Sequence, residues 1–174
     1  MRLDEEGLFS LALESVALEI ARSTPGDLVA DAFCGAGGSA IGFARAGKSV
    51  AAIDISAPRL AMARYNASLF GVSESVRFIN GDCMKVIPGL APDSIFLDPP
   101  WGGTDYIARD TFILGDFEPD GRALLDMAFS VTDSVVIRLP KNFQMSELEG
   151  FGRKYRLEEN RLDGKLLHYC AYFE

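Results

Sequence analysis

The sequence predicts an α/β fold: a mostly parallel, doubly wound, Rossmann-like sheet that ends in an antiparallel hairpin. Short apolar runs of strand length alternate with segments of helical spacing up to Leu139, and this alternation is typical of parallel sheets. Near the C-terminus, Asp163-Gly164 joins two extended runs, which is a strong signal for a hairpin. No repeat, low-complexity segment or linker divides the chain, so we expect one domain.

The individual elements follow from turn and capping residues. Helical spacing over 11–22 stops before Pro25-Gly26, and a second helix runs from the glycine-rich turn to Ala46, where Gly47 ends it. Ser56 as N-cap and Pro58 in the first turn begin a third helix that extends to Phe70. A fourth helix is predicted over 119–130. The predicted strands are 28–33, 49–53, 76–79, 94–97, 135–139, 155–162 and 165–173.

Composition excludes several classes of protein. With 48% apolar and 24% charged residues, the chain is typical of a soluble globular protein, and it lacks an apolar run of membrane-spanning length. The acidic N-terminus lacks the pattern of a signal peptide, so we expect a cytoplasmic protein with no membrane partner. The three cysteines are too far apart for a C-x-x-C metal site or a disulfide framework, and we expect no metal. The oligomeric state stays open.

The net charge of −8 argues against a general nucleic-acid binder, because such proteins neutralise phosphates with basic side chains. Residues 138–173 are locally more basic, with seven basic against five acidic side chains. A small phosphate-contacting patch is one interpretation of this segment, and a solvated face is the default one. His168, the single histidine, lies in an apolar run and is interpreted as a packed strand residue.

Carboxylates and glycines follow the first three predicted strands in an order that favours one cofactor. Asp31 precedes a Gly-x-Gly-Gly turn, whose glycines allow a close backbone approach and whose helix start attracts an anionic group. Asp54, after the second strand, can accept hydrogen bonds from two ribose hydroxyls. Asp82, after the third strand, can accept from an adenine amine, with the Cys83 amide facing a ring nitrogen. A dinucleotide dehydrogenase is disfavoured, because the glycine pattern differs and no hydride chemistry is evident.

Asp98-Pro99-Pro100-Trp101 follows the fourth predicted strand, where open α/β sheets place their ligands. Prolines have no N–H, so carbonyls in this turn remain available as acceptors. The Asp98 carboxylate and the Pro99 carbonyl can accept the hydrogens of an exocyclic amine, while Trp101 stacks on its ring. With the other carboxylates, this turn favours S-adenosylmethionine as cofactor and an amine on a heteroaromatic ring as methyl acceptor. Asp98 and water are both candidate acceptors of the released proton.

Segments along nearly the whole chain resemble the RNA cap guanine-N2 methyltransferases, also called trimethylguanosine synthases. The run Pro99-Pro100-Trp101-Gly102-Gly103-Thr104-Asp105-Tyr106 is specific to that family, whereas the glycine motif is shared by many methyltransferases. The other matching segments are Asp4 to Ser10, Asp31 to Gly38, Ala52 to Ile55, Gly81-Asp82, Leu139 to Asn142 and Ala171 to Phe173.

The resemblance implies methylation of the 2-amino group of a 7-methylguanosine cap, with S-adenosylmethionine and without a metal. The chain looks like a short, core-only member, because it begins almost at the Gly7-Leu8-Phe9-Ser10 element. It also has Asp98 where the family commonly has serine; Asp-Pro-Pro is the form of many other amino methyltransferases of nucleic-acid bases. We expect one methyltransferase domain over 1–174, with an N-terminal helical element (1–24), a cofactor-binding half (25–93) and an acceptor-side half (94–174).

The candidate site residues form three sets. The catalytic residues are Asp98, Pro99 and Trp101. The substrate-binding residues are Trp101, Lys141, Asn142 and Phe9, with Lys141 a phosphate contact by resemblance and Phe9 either a cover for the site or an apolar anchor of the first helix. The cofactor-binding residues are Asp31, Phe33, Gly35, Gly37, Asp54, Ile55, Asp82, Cys83 and Asp98.

The expected partner is RNA or a guanine nucleotide. Two alternatives stay open at this stage. The first is a methyltransferase that acts on ribosomal RNA, transfer RNA or a small-molecule amine. The second is a non-catalytic module that keeps the cofactor-binding fold. Intact Asp54, Asp82 and Asp98-Pro99-Pro100-Trp101 argue against the non-catalytic module.

Overall fold

The computed structural model describes residues 1–3, 14–102 and 109–174. Its strands form one seven-stranded sheet in the order β3-β2-β1-β4-β5-β7-β6, parallel from β3 to β5 and antiparallel at β7 and β6. The strands are β1 (Leu28–Asp31), β2 (Ser49–Asp54), β3 (Val76–Asn80), β4 (Ser94–Leu97), β5 (Val135–Pro140), β6 (Tyr155–Leu162) and β7 (Lys165–Phe173). The doubly wound sheet and the terminal hairpin are confirmed.

Helices cover both faces of the sheet. They are α1 (Glu14–Ser23), α2 (Gly38–Arg45), α3 (Ala57–Leu69), α4 (Cys83–Val86), α5 (Gly121–Phe129) and α6 (Ser146–Glu149), with short 3₁₀ turns at Ser73–Ser75, Ile87–Gly89 and Leu114–Asp116. Side chains of α1, α2 and α3 pack with one buried cluster, while α5 and α6 contribute to the cluster on the opposite face. Each face of every central strand is therefore covered, which explains why these strands are continuous apolar runs.

Close backbone contact sets the packing of α1 on α2. A Cβ atom on Gly42 would lie 2.6 Å from the Cβ atom of Ala17, so only glycine permits this approach. The hairpin turn depends on backbone conformation in a similar way: Asp163 and Gly164 both have positive φ, at 49° and 76°. Two consecutive positive φ values match the twist of a two-residue hairpin, as the Asp-Gly pair predicts.

The boundaries differ from the predictions at a few places. β1 ends at Asp31 rather than Phe33, because the Phe33 amide donates to the Asp31 side chain and the chain turns away. The fourth predicted helix is shorter, because Asp120 caps it and accepts from the Ala123 amide at 2.9 Å. Residues 11–13 of the first predicted helix lie outside the described residues. The short helices α4 and α6 carried no sequence signal that we recognised.

Candidate active site

The strand order reverses between β1 and β4, and the candidate residues gather at the carboxyl ends of these strands. Asp31 pairs in register with Phe96. Asp98 follows Phe96 by two residues, so in strand geometry Asp31 and Asp98 fall on the same face of the sheet. Such a reversal is the usual position of a ligand site in an open α/β sheet. The predicted cofactor and acceptor residues therefore meet at one edge.

Asp31 is fully buried at the end of β1. Its Oδ1 atom accepts from the Phe33 amide at 3.4 Å, while Oδ2 has no hydrogen-bond partner among the described residues. Burial, followed by the charge of Asp98, raises the pKa of Asp31 to about 7. A buried carboxylate oxygen without a donor is costly, so this atom is suited to accept a hydrogen bond from a cationic ligand group.

The two glycines of the loop after β1 have different surroundings. Gly35 has a φ of +52°, and a Cβ atom placed on it would meet no described atom within 4 Å. Gly37 has a φ of +94°, and its Cβ atom would lie 3.1 Å from the Cβ atom of Ala63 in α3. Open space in front of Gly35 is available for a ligand, whereas Gly37 allows α2 and α3 to approach each other.

Asp54 ties the end of β2 to the glycine loop. Its Oδ2 atom accepts from the Gly35 amide at 2.7 Å, and its Oδ1 atom accepts from the Ser56 amide at 2.8 Å. Each carboxylate oxygen has a second lone pair, so two further hydrogen bonds from ribose hydroxyls remain possible. Ile55, the next residue, is 79% exposed and offers an apolar side chain beside this carboxylate.

Asn80 was not predicted as a site residue. Its side-chain amide donates to the carbonyl oxygens of Asp54 at 3.0 Å and Ile55 at 2.9 Å, and so fixes the backbone that carries both predicted cofactor residues. Its position directly before Gly81-Asp82 was the available signal, because asparagine at a strand end often bonds to nearby backbone.

Asp82 lies two residues beyond β3 and caps α4. Its Oδ1 atom accepts from the Met84 amide at 3.0 Å, and Lys85 lies 3.4 Å from its Oδ2 atom. Cys83 is buried beside it, and burial, followed by the charge of Asp82, raises the pKa of this thiol to about 11. Cys83 is therefore a neutral packing residue, and its backbone lies at the first position of α4.

The acceptor-side turn begins with Asp98, which is an ion-pair partner. Arg138 of β5 donates from Nη1 to the Asp98 Oδ2 atom at 2.5 Å, and the two side chains are 7% and 19% exposed. Burial raises the pKa of Asp98, and the charge of Arg138 opposes this effect. Pro99 is buried, while Trp101 is half-buried with its ring centroid 6.5 Å from that of His168. The prediction that His168 is a packed strand residue is confirmed.

Arg138 is an exception to the default interpretation of the basic C-terminal segment as a solvated face. The whole residue is 6% exposed and lies inside the sheet, because the β4–β5 register brings it beside Asp98. Its position within an apolar strand was the available signal, since an arginine among buried residues needs a partner. Lys141, by contrast, is exposed.

Asn142 joins the end of β5 to the segment that follows residue 108. Its side chain donates to the Arg109 carbonyl at 2.8 Å, and its backbone carbonyl accepts from the Phe112 amide at 3.0 Å. Phe9 lies outside the described residues, as do Gly103, Thr104, Asp105 and Tyr106 of the family-specific run. The candidate residues within the described ranges lie at or after the carboxyl ends of β1 to β5, and Lys141 is on the surface at this same end of the sheet.

The residues present fit S-adenosylmethionine. The Asp31 oxygen that has no partner in the described part of the chain suits an ammonium group, the space at Gly35 admits a chain close to the backbone, and Asp54 with exposed Ile55 suits a nucleoside. The described residues contain no group of three or more side chains able to hold a metal ion. Among them, no helix combines the length and apolar character needed to cross a membrane. The fold and the site define an S-adenosylmethionine-dependent methyltransferase.

Comparison with known proteins narrows this class. The family described as RNA cap guanine-N2 methyltransferase matches residues 26–173. Trimethylguanosine synthase of Schizosaccharomyces pombe is 32% identical over 98% of this chain and 77% of that enzyme. The Saccharomyces cerevisiae trimethylguanosine synthase is 27% identical over 87% of this chain and 52% of that enzyme. The chain belongs to the RNA cap guanine-N2 methyltransferase family and is a methyltransferase of the guanine-N2 type.

A solved structure supports the fold independently. A Porphyromonas gingivalis protein assigned as a methyltransferase superposes with a TM-score of 0.80 over 98% of this chain and 42% of that protein, at 19% identity. At this identity the likeness shows the shared fold alone.

Proposed function

We propose that this chain transfers the methyl group of S-adenosylmethionine to the 2-amino group of a guanine in RNA, with a 7-methylguanosine cap as the acceptor. The observation that carries the proposal is the register of β1 and β4. It sets the buried Asp31 carboxylate and the Asp98-Pro99-Pro100-Trp101 turn side by side at one edge of the sheet. A cofactor group held at Asp31 would face an amine held at Asp98.

Five residues would hold the cofactor. Asp31 Oδ2 accepts from the ammonium group, and the space in front of Gly35 admits the amino-acid portion close to the backbone. Asp54 accepts from the ribose hydroxyls with the lone pairs that its two backbone bonds leave available. Asp82 accepts from the adenine amine, with the apolar surface of Ile55 against the ring.

The acceptor residues would control the orientation of the amine. S-adenosylmethionine, when bound, supplies a sulfonium methyl: the amine lone pair forms the N–C bond, the C–S electrons return to sulfur, and one N–H proton is released. Before transfer, the amine lone pair is delocalised into the guanine ring. The Asp98 carboxylate and the Pro99 carbonyl accept its two hydrogens and favour the pyramidal nitrogen that can attack. Positioning and electrostatics then supply most of the rate acceleration.

Trp101 would provide the stacking platform for the guanine. A 7-methylated guanine carries a positive charge, and its attraction to the indole face adds about 1–2 kcal/mol to stacking. This increment gives the site a reason to prefer a methylated cap over an unmethylated guanosine.

Methyl transfer from labelled S-adenosylmethionine tests the proposal. A 7-methylguanosine cap analogue, its unmethylated counterpart and total cellular RNA are offered as acceptors to the wild-type protein and to Trp101→Ala. We expect labelling of the methylated cap, at N2, with much less in the variant. Labelling of RNA alone would move the acceptor to ribosomal or transfer RNA. Absence of labelling with all three acceptors would contradict the proposal.

A further inference from the structure

Arg138 is a cation inside the sheet. It lies between Ile137 and Leu139, both fully buried, and is itself only 6% exposed. Arginine is almost never buried unless it is paired, and removing one partner from a buried ion pair leaves a costly isolated charge. The residue therefore has a specific partner rather than a general solubilising role.

Asp98 is that partner, and the geometry of the sheet fixes the pair. Leu97 and Ile137 are in register between β4 and β5, so the residues that follow them, Asp98 and Arg138, emerge side by side. Nη1 of Arg138 donates to the Asp98 Oδ2 atom at 2.5 Å. Among the described residues, the Asp98 side chain accepts this one hydrogen bond, which engages Oδ2 and leaves Oδ1 available.

The groups that face the pair come from each neighbouring strand. Asp31 of β1 lies on the same face of the sheet. The charge of Asp98 raises the pKa of Asp31, whereas the charge of Arg138 lowers it. Cys170 of β7 pairs in register with Arg138, and Glu158 of β6 pairs with Cys170. His168 of β7 is neutral near pH 7, because burial and the charge of Arg138 lower its pKa to about 3.

Among these groups Arg138 is the cation, and it faces the fully buried Asp31 carboxylate and the partly buried Asp98 carboxylate. Without it, burial and mutual repulsion would favour protonation of the Asp98 carboxyl. A protonated carboxyl carries a donor of its own and is a poorer acceptor for an amine that itself donates two hydrogens.

We propose that Arg138 is a positioning residue of the acceptor site: it holds Asp98 as an anion and fixes Oδ2, so that Oδ1 faces the acceptor amine. This inference rests on the proposed function, which places the amine at Asp98. The pair therefore supplies a fixed acceptor for the hydrogens of the amine.

Arg138→Met and Arg138→Lys test the assignment, with Arg161→Met on the exposed part of the hairpin as matched control. Turnover is measured against pH at saturating cofactor and acceptor. For Arg138→Met we expect at least a tenfold loss near pH 7 and an acid limb shifted to higher pH, so that activity partly recovers in alkali. Arg138→Lys restores the position of the limb, and Arg161→Met matches wild type.

A second readout uses the protein without ligand. In Arg138→Met the ionised Asp98 has no counter-charge, so the loss of Tm should grow from about pH 5 to about pH 8, as deprotonation becomes more costly. The double variant Asp98→Asn/Arg138→Met carries neither charge, and its Tm loss should not depend on pH. It also keeps the test available if Arg138→Met does not fold.

Two results would overturn the inference: a loss of turnover that does not vary with pH, or equal effects of Arg138→Met and Arg138→Lys. Either outcome, with wild-type transfer to guanine intact, would leave the proposed function standing. Wild-type protein that labels no guanine acceptor would instead refute the proposed function. In that case the pH dependence of Tm still decides whether Arg138 keeps Asp98 ionised.

Discussion

Asp54, at the end of β2, accepts a 2.7 Å hydrogen bond from the backbone amide of Gly35, nineteen positions earlier in the chain. The contact joins two strand ends that the sheet brings side by side. It fixes the glycine loop before any ligand arrives, so part of the ordering cost of binding is already met by folding. Asp54 is thus a structural residue of the loop as well as the expected ribose acceptor.

Asp54→Asn should weaken cofactor binding. The change removes the charge and replaces one acceptor oxygen by a donor, which costs a charge-assisted hydrogen bond of about 1.5–3 kcal/mol. We expect a roughly tenfold to hundredfold higher Kd by isothermal titration calorimetry, and a lower Tm because the bonds to Gly35 and Ser56 are disturbed. Asp126→Asn, at an exposed position of α5, is the control. An unchanged Kd would remove the ribose assignment.

Three glycine-to-alanine variants should separate ligand space from helix packing. Gly35, Gly37 and Gly47 all have positive φ, so each alanine carries a backbone strain of about 1–2 kcal/mol. Gly37→Ala should be the least stable, because its Cβ atom also crowds Ala63. Gly35→Ala should lose stability only through backbone strain, and it should also lose cofactor affinity. Gly47→Ala should lose the same stability and keep the cofactor affinity of the wild type.

Thermal unfolding and cofactor titration on the same three proteins check this ordering. Equal losses of affinity in Gly35→Ala and Gly47→Ala would mean that the space in front of Gly35 is not where the cofactor binds.

Cofactor affinity should depend on pH through Asp31. Its pKa is raised to about 7, and a cationic ammonium group binds the ionised form and lowers the pKa in the complex. Affinity is therefore fully present above the pKa of the free protein and is lost as pH falls below it. We expect Kd to rise by up to roughly tenfold per pH unit between about pH 7 and 5.5.

Titration calorimetry across this range measures the effect, and Asp31→Asn is the matched variant. Asparagine does not ionise, so its weaker binding should be independent of pH over the same interval. A slope that persists in Asp31→Asn would assign the titration to a different group.

Trp101→Ala should separate cofactor binding from transfer. Loss of a stacking surface costs about 1–3 kcal/mol per base, which corresponds to a roughly fivefold to 150-fold lower kcat/KM for the acceptor. The Kd of the cofactor should stay within about twofold, because the ring lies on the acceptor side. Trp101→Phe keeps an aromatic face and should retain intermediate activity. Equal losses in binding and transfer would contradict the stacking role.

Most of the architecture could be predicted because its signals are local. Apolar runs of strand length, the Ser56 cap and the Asp163-Gly164 turn each act over a few residues, and the structure places strands and hairpin at the predicted positions. The candidate carboxylates were predictable for a related reason: they follow strands, and parallel strands end at one edge. The assigned roles of these residues remain predictions until the variants are measured.

The sequence by itself determined the fold class, the family and the carboxylates at the strand ends, because turn chemistry, hydrophobic pattern and motif spacing are readable along the chain. Only the tertiary structure decided that Arg138 is a buried partner of Asp98, forty positions away, and that one Asp31 oxygen has no donor among the residues that the structure describes. Both facts depend on strand order and register. Which side chains meet across a sheet is set by packing the whole chain, not by any local segment.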